Sequence, residues 1–361
     1  MNKSKLLFQG KNEGNGFWLG NPSVEAKKNY FAYFGIKYEE HTDLEKHNLG
    51  LSVLKSEGSR DADFELAEKL QSDFMMLTPE FDPAAWKHPE GKPLWNYRDH
   101  ERESLAGPGR FANTEDVSEV EAFKDWPNPD YIDLSNVIHG IEIAEKKDLG
   151  VLSGMFCRFF PVLSEFFGIE NYFMKMIDNP AVVHAVTEKV VNFYLESNKK
   201  VLGTIGNRLM TSFFGNDLGT QRSMFISLEL FDEFVGPYLK RLIDQMKSFG
   251  LKVTMHSCGA ISGIIPRLID MGVDALHPLQ AMAVGMDAIT LAREYGKDLI
   301  FIGGVDTQEL LPFKSPKEVR EEVLRLRDIF KDRYIVSPSH EALLANVSIE
   351  NVVAMSNAAR E

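Results

Sequence analysis

From about residue 145 onward, short apolar runs alternate with longer stretches whose apolar positions recur at helical spacing. Seven runs read as buried strands: 73–77, 151–156, 208–214, 251–256, 273–276, 298–303 and 334–337. Helical patterns follow most of them, and this alternation predicts βα units around a parallel sheet. The spacing predicts helices over 180–200 and over 228–248, the second broken or kinked at Pro237 because proline cannot donate to the helical ladder. Segment 315–330 opens with Ser315-Pro316-Lys317-Glu318, a capping box with proline at the first helical position. Segment 348–359 starts from a Ser348 cap.

Residues 78–130 are different: their many prolines and glycines read as long loops laid over a core. Seven strands, with an eighth expected in the irregular first half of the chain, predict a single (β/α)8 barrel of the α/β class. A doubly wound sheet competes, but no Gly-x-Gly-x-x-Gly follows an early strand, which removes its commonest version. The division expected is an N-terminal extension, residues 1–60, packed on a barrel of residues 61–361.

Charge narrows the partners. Forty Lys and Arg against 53 Asp and Glu leave a net charge of −13, which argues against a general grip on nucleic acid or an anionic membrane surface. The two cysteines, Cys157 and Cys258, exclude a disulfide framework and fit a reducing compartment. The apolar run near the start is only Leu6-Leu7-Phe8, far short of a secretory leader, and no stretch is long enough to span a membrane. A cytoplasmic protein is the expectation.

Candidate chemistry collects just after the strands. Cys157-Arg158 follows the second run, Asn216-Asp217 the third, and His256-Ser257-Cys258-Gly259 the fourth. His277-Pro278-Leu279-Gln280, Asp306-Thr307-Gln308 and Ser339-His340-Glu341 follow the next three. Barrel enzymes assemble their sites from these loops, although loops are also polar because helix caps lie there. His256 and Cys258 share one face of an extended chain, and imidazole with thiolate suits Zn2+. His340 would complete three ligands with one position open, as in a catalytic zinc site. Cys157 reads as a core thiol. Asp217, Asp306 and Glu341 serve equally well as caps, supports or participants. Asp73 opens its strand rather than closing it.

At these residues the chain resembles the uroporphyrinogen decarboxylase superfamily. The resemblance rests on Asp73-Phe74-Met75-Met76, Phe214-Gly215-Asn216-Asp217-Leu218-Gly219, Gly303-Gly304-Val305-Asp306-Thr307 and Tyr334-Ile335-Val336-Ser337-Pro338-Ser339-His340. It implies a barrel with its site at the C-terminal mouth. Where the decarboxylase carries arginines for its substrate's carboxylates, this chain has Gly16-Phe17-Trp18-Leu19-Gly20-Asn21-Pro22. Unpaired anions are costly to desolvate, so that substrate fits poorly.

His256-Ser257-Cys258 is similar to the His-x-Cys zinc motif of the superfamily's cobalamin-dependent methyltransferases, with His340 where those enzymes carry a further cysteine. The resemblance therefore implies zinc on His256, Cys258 and His340, a small thiol as acceptor and a corrinoid such as methylcobalamin carried by a partner protein. Asp73, Asp217 and His340 become the catalytic candidates, with Asn216, Arg158, Asp306 and Gln280 binding substrate. The alternatives are a decarboxylase acting on uroporphyrinogen or a smaller acid through Asp73 and His340, and a barrel that binds a corrinoid or metal without turning over. A homodimer is compatible with any of these.

Overall fold

The computed structural model describes residues 2–11, 15–38, 57–97 and 107–361. Eight short strands form its centre: Gly16–Phe17 (β1), Phe74–Met76 (β2), Gly150–Ser153 (β3), Thr211–Gly215 (β4), Val253–His256 (β5), Ala275–Leu279 (β6), Ile300–Val305 (β7) and Tyr334–Pro338 (β8). All pair in parallel, in the order β1-β8-β7-β6-β5-β4-β3-β2. The sheet curls until its ends meet: the Asp73 N–H donates to the Phe17 carbonyl at 2.8 Å, bringing β2 against β1. This is the (β/α)8 barrel that the alternation predicts.

Each of the seven predicted runs overlaps one strand, β2 to β8. The eighth lies at Gly16–Phe17, inside the stretch assigned to the extension, and two residues are too short to show a period. Glycine is required there, because a Cβ on Gly16 would fall 1.9 Å from Ser4 Oγ and 2.8 Å from the Asp73 carboxylate. The run over 151–156 stops early, at Ser153, because Gly154 turns the chain at φ +117°.

Helices fill the connections. Pro180–Ile205 extends the helix predicted over 180–200. The 228–248 segment splits into Leu228–Phe234 and Gly236–Ser248, with Pro237 at the start of the second. The Ser315–Glu318 capping box and the Ser348 cap both form. Inside the barrel Trp18, Phe74, Leu152, Phe213, Ala275, Ile302 and Ile335 pack together, and a larger apolar layer lies between strands and helices. Among the described residues no helix is long and apolar enough to cross a membrane.

Candidate metal centre

His256 is the last residue of β5, level with Gly215 on β4 and His277 on β6. Gly215 makes room for it: a Cβ there would lie 2.8 Å from His256 Cβ and 2.6 Å from the Phe156 ring. The His256 Nε2 atom stands 3.2 Å from Asp217 Oδ1 and 3.4 Å from Cys258 Sγ. The loop after β5 is fastened to the loop after β4, since the Cys258 N–H donates to Asp217 Oδ1 at 3.0 Å. The two loops touch backbone to backbone: a Cβ on Gly259, at φ +91°, would meet Gly219 at 2.2 Å. One nitrogen, one sulfur and one oxygen thus gather within 4.8 Å at the C-terminal end of the barrel.

On its other side, His256 Nδ1 lies 3.0 Å from His277 Nδ1 and 3.7 Å from Glu341 Oε2. Burial disfavours charge on His256, but Glu341, Cys258 and Asp217 outweigh it and raise the ring's pKa well above the ordinary imidazole value. Burial, and then the His256 charge, hold His277 well below that value, so it is neutral. Desolvation of Asp217 is outweighed by its bond to His256, which keeps the carboxyl well below the usual carboxylate range. Burial pushes the Cys258 thiol up to about 11, against the pull of His256. Without a cation the site therefore holds an imidazolium, a carboxylate and a protonated thiol.

These donors fit zinc. At ordinary zinc bond lengths a tetrahedral centre sets nitrogen and sulfur roughly 3.5 Å apart and nitrogen and oxygen roughly 3.3 Å apart, close to the separations observed. Three protein donors leave one position open, the arrangement of a catalytic rather than a structural site.

The remaining sequence candidates do not join this donor group. Among the described residues His340 belongs neither to this group nor to the second one, formed by His256, His277 and Glu341. Its Nδ1 accepts from the Ala342 N–H at 3.1 Å and lies 3.7 Å from Glu341, which stands between it and His256. Asp217, and not His340, is the residue that converges with His256 and Cys258.

Asp73 is at the opposite, N-terminal end of the barrel. Its Oδ2 accepts from Ser4 Oγ and the Phe17 N–H, both at 2.8 Å, and its Oδ1 accepts from Arg360 at 2.9 Å. A catalytic part at the mouth is therefore excluded by position.

Asn216, Gln280 and Asp306 are occupied as fasteners. Asn216 accepts from the Phe160 N–H at the start of a helix and donates to the Cys157 carbonyl. Gln280 Oε1 accepts from Gly259 N–H and from Gln221. Asp306 caps the turn at Gln308–Leu310. Arg158 is paired through Nε with Glu80, a carboxylate buried completely and also bonded by Tyr194 and the Cys157 N–H. Cys157 is a buried thiol held neutral by burial and by Glu80, as its reading as core predicts.

Sequence reasoning missed Glu80 and left His277 without a role. The signal for His277 was its place at the end of the strand next to that of His256.

The fold and donor set define a (β/α)8 barrel with a metal-capable mouth, the position where barrel enzymes do their chemistry. Residues 106–361 match the uroporphyrinogen decarboxylase (URO-D) family, and the chain belongs to it. That membership, with the donors at the mouth, supports an enzyme. Among solved structures, a methyltransferase from Methanosarcina mazei is similar at 13% identity and a TM-score of 0.65, over 99% of this chain and 97% of that one. At this identity the likeness shows the fold. A putative vitamin-B12-independent methionine synthase from Listeria monocytogenes is matched at 12% identity over 97% and 98% of the two chains, with a TM-score of 0.39. No curated protein sequence matches the chain.

Proposed function

We propose that the chain is a methyltransferase of this family, in which zinc held by His256, Cys258 and Asp217 activates a small thiol to accept a methyl group from a corrinoid on a partner protein. The observation that carries this reading is the convergence of His256 Nε2, Cys258 Sγ and Asp217 Oδ1 at the barrel mouth. Zinc, when bound, supplies a Lewis acid that keeps a thiol ionised at neutral pH. The protein's residues do the rest. Burial keeps the Cys258 thiol protonated at neutral pH until a cation takes the proton's place, and Asp217 adds a second anionic donor while holding the Cys258 backbone. The Phe156 ring, 5.6 Å from that of His256, forms an apolar wall beside the donors.

The decarboxylase alternative is weaker on geometry. It needs Asp73 at the mouth, whereas Asp73 fastens the other end of the barrel. It also needs cations for the substrate's carboxylates, and Arg158 is already paired with Glu80.

The test is to incubate zinc-loaded protein with methylcobalamin and 2-mercaptoethanol and to measure the methyl thioether. The thioether should form, and Cys258→Ala and Asp217→Ala should each abolish it. Carbon dioxide released from uroporphyrinogen, with no thioether formed, would move the assignment to the decarboxylase.

A further inference from the structure

The two ring nitrogens of His256 face different surroundings. Nε2 looks out to Asp217 and Cys258, while Nδ1 looks into the barrel at His277 Nδ1, 3.0 Å away. Two aromatic nitrogens at that separation share one proton: one donates it and the other accepts. A neutral imidazole that offers its Nε2 lone pair to a cation must carry its proton on Nδ1. His277 must then present a bare Nδ1 and keep its own proton on Nε2.

The surroundings favour this arrangement. Glu341 Oε2 lies 3.7 Å from His256 Nδ1, on the side where the proton is needed. The His277 ring is fully buried, with its centroid 4.8 Å from that of Trp18 and 5.6 Å from that of Phe213, so it cannot turn freely. Its Nε2 is buried with no hydrogen-bond partner among the described residues, so that end favours neither tautomer and the choice is left to the Nδ1 side.

We propose that His277 is a positioning residue that fixes the ring of His256, with its proton on Nδ1, so that Nε2 is held as a donor toward Asp217 and Cys258. The proposal rests on the metal reading for its purpose but not for its content, because the Nδ1 proton faces His277 with or without an ion. Groups that fix a ligating histidine in this way are commonly worth about 10- to 100-fold in metal affinity. Here the partner is a second, neutral histidine in the barrel interior instead of a carboxylate.

Two measurements decide it. The first uses metal-free protein labelled with 15N in histidine, at alkaline pH where the His256 ring is neutral. The shifts should place the His256 proton on Nδ1 in the wild type, and His277→Phe should erase that preference. A wild-type proton on Nε2 would overturn the proposal, even if His277→Phe did not fold.

The second titrates Co2+, read by its visible and thiolate charge-transfer absorption. His277→Phe should bind about 10- to 100-fold more weakly than wild type. His277→Asn, whose side-chain oxygen can take the place of Nδ1 as acceptor, should recover most of the loss. Unfolding midpoints are measured alongside, because a merely structural role would shift stability without that rescue. Binding by His277→Phe equal to wild type, with an unchanged spectrum, would overturn the proposal. Absence of Co2+ binding by the wild type would instead overturn the metal reading and leave the 15N result to decide the role of His277.

Discussion

Cys258 shows how a single side chain couples the site to pH. Its thiol is pushed up to about 11 by burial, so without a cation it is protonated at neutral pH. A cation binds the thiolate, and so each unit by which pH falls below the thiol's pKa costs about tenfold in apparent affinity for that proton alone. His256 adds to the same slope, because its raised pKa means that a second proton must leave Nε2. Zinc affinity should therefore be at least about tenfold weaker at pH 6.5 than at pH 7.5, measured by competition with a chelator whose own protonation is known. Affinity independent of pH would show that neither group ligates.

The elements that deliver the site are two loops held in contact by their glycines. Gly259 at φ +91° lies against the backbone of Gly219, and this contact brings Cys258 to Asp217. Gly259→Ala has no room for its methyl group and adopts a strained backbone, each of which costs on the order of 1–2 kcal/mol. It should lower thermal stability and weaken metal binding together; a variant that lost stability but bound metal normally would show that the loop contact does not set the site.

At this scale the sequence was partly legible. His256 and Cys258 could be paired from spacing alone, because residues two apart share a face of an extended chain. The seven longer strands were legible from their apolar runs, while two-residue β1 was not. Polar residues after strands announced their type but not their partners. Asn216, Gln280 and Asp306 are polar residues after strands in the sequence, and in the structure a side-chain oxygen of each accepts from backbone N–H groups, which no local pattern announces. His277 and Glu341 approach His256 across strands, which no local pattern records.

Asp73 acts at the level of the whole molecule. It ties the helix Lys3–Phe8 through Ser4, strand β1 through Phe17 and the helix Ile349–Arg360 through Arg360, all to the start of β2. Both ends of the described chain are thus held at the seam where the barrel closes. Removing a buried carboxylate that faces an arginine leaves several polar groups unpaired, and Asp73→Ala should cost about 3–5 kcal/mol. Urea unfolding measures the loss, and metal content in the folded variant should be unchanged. Wild-type stability with lost activity would return Asp73 to the active site.

The central claim is that the barrel mouth holds a metal through its one converging thiol. Elemental analysis of purified wild type and Cys258→Ala, with circular dichroism to confirm the fold, tests it most directly. The account predicts about one zinc per chain in the wild type and its loss in a variant that remains folded, since the loop-end site adds little to the core beneath it. Equal metal content in the two proteins, whether near zero or near one, would contradict it.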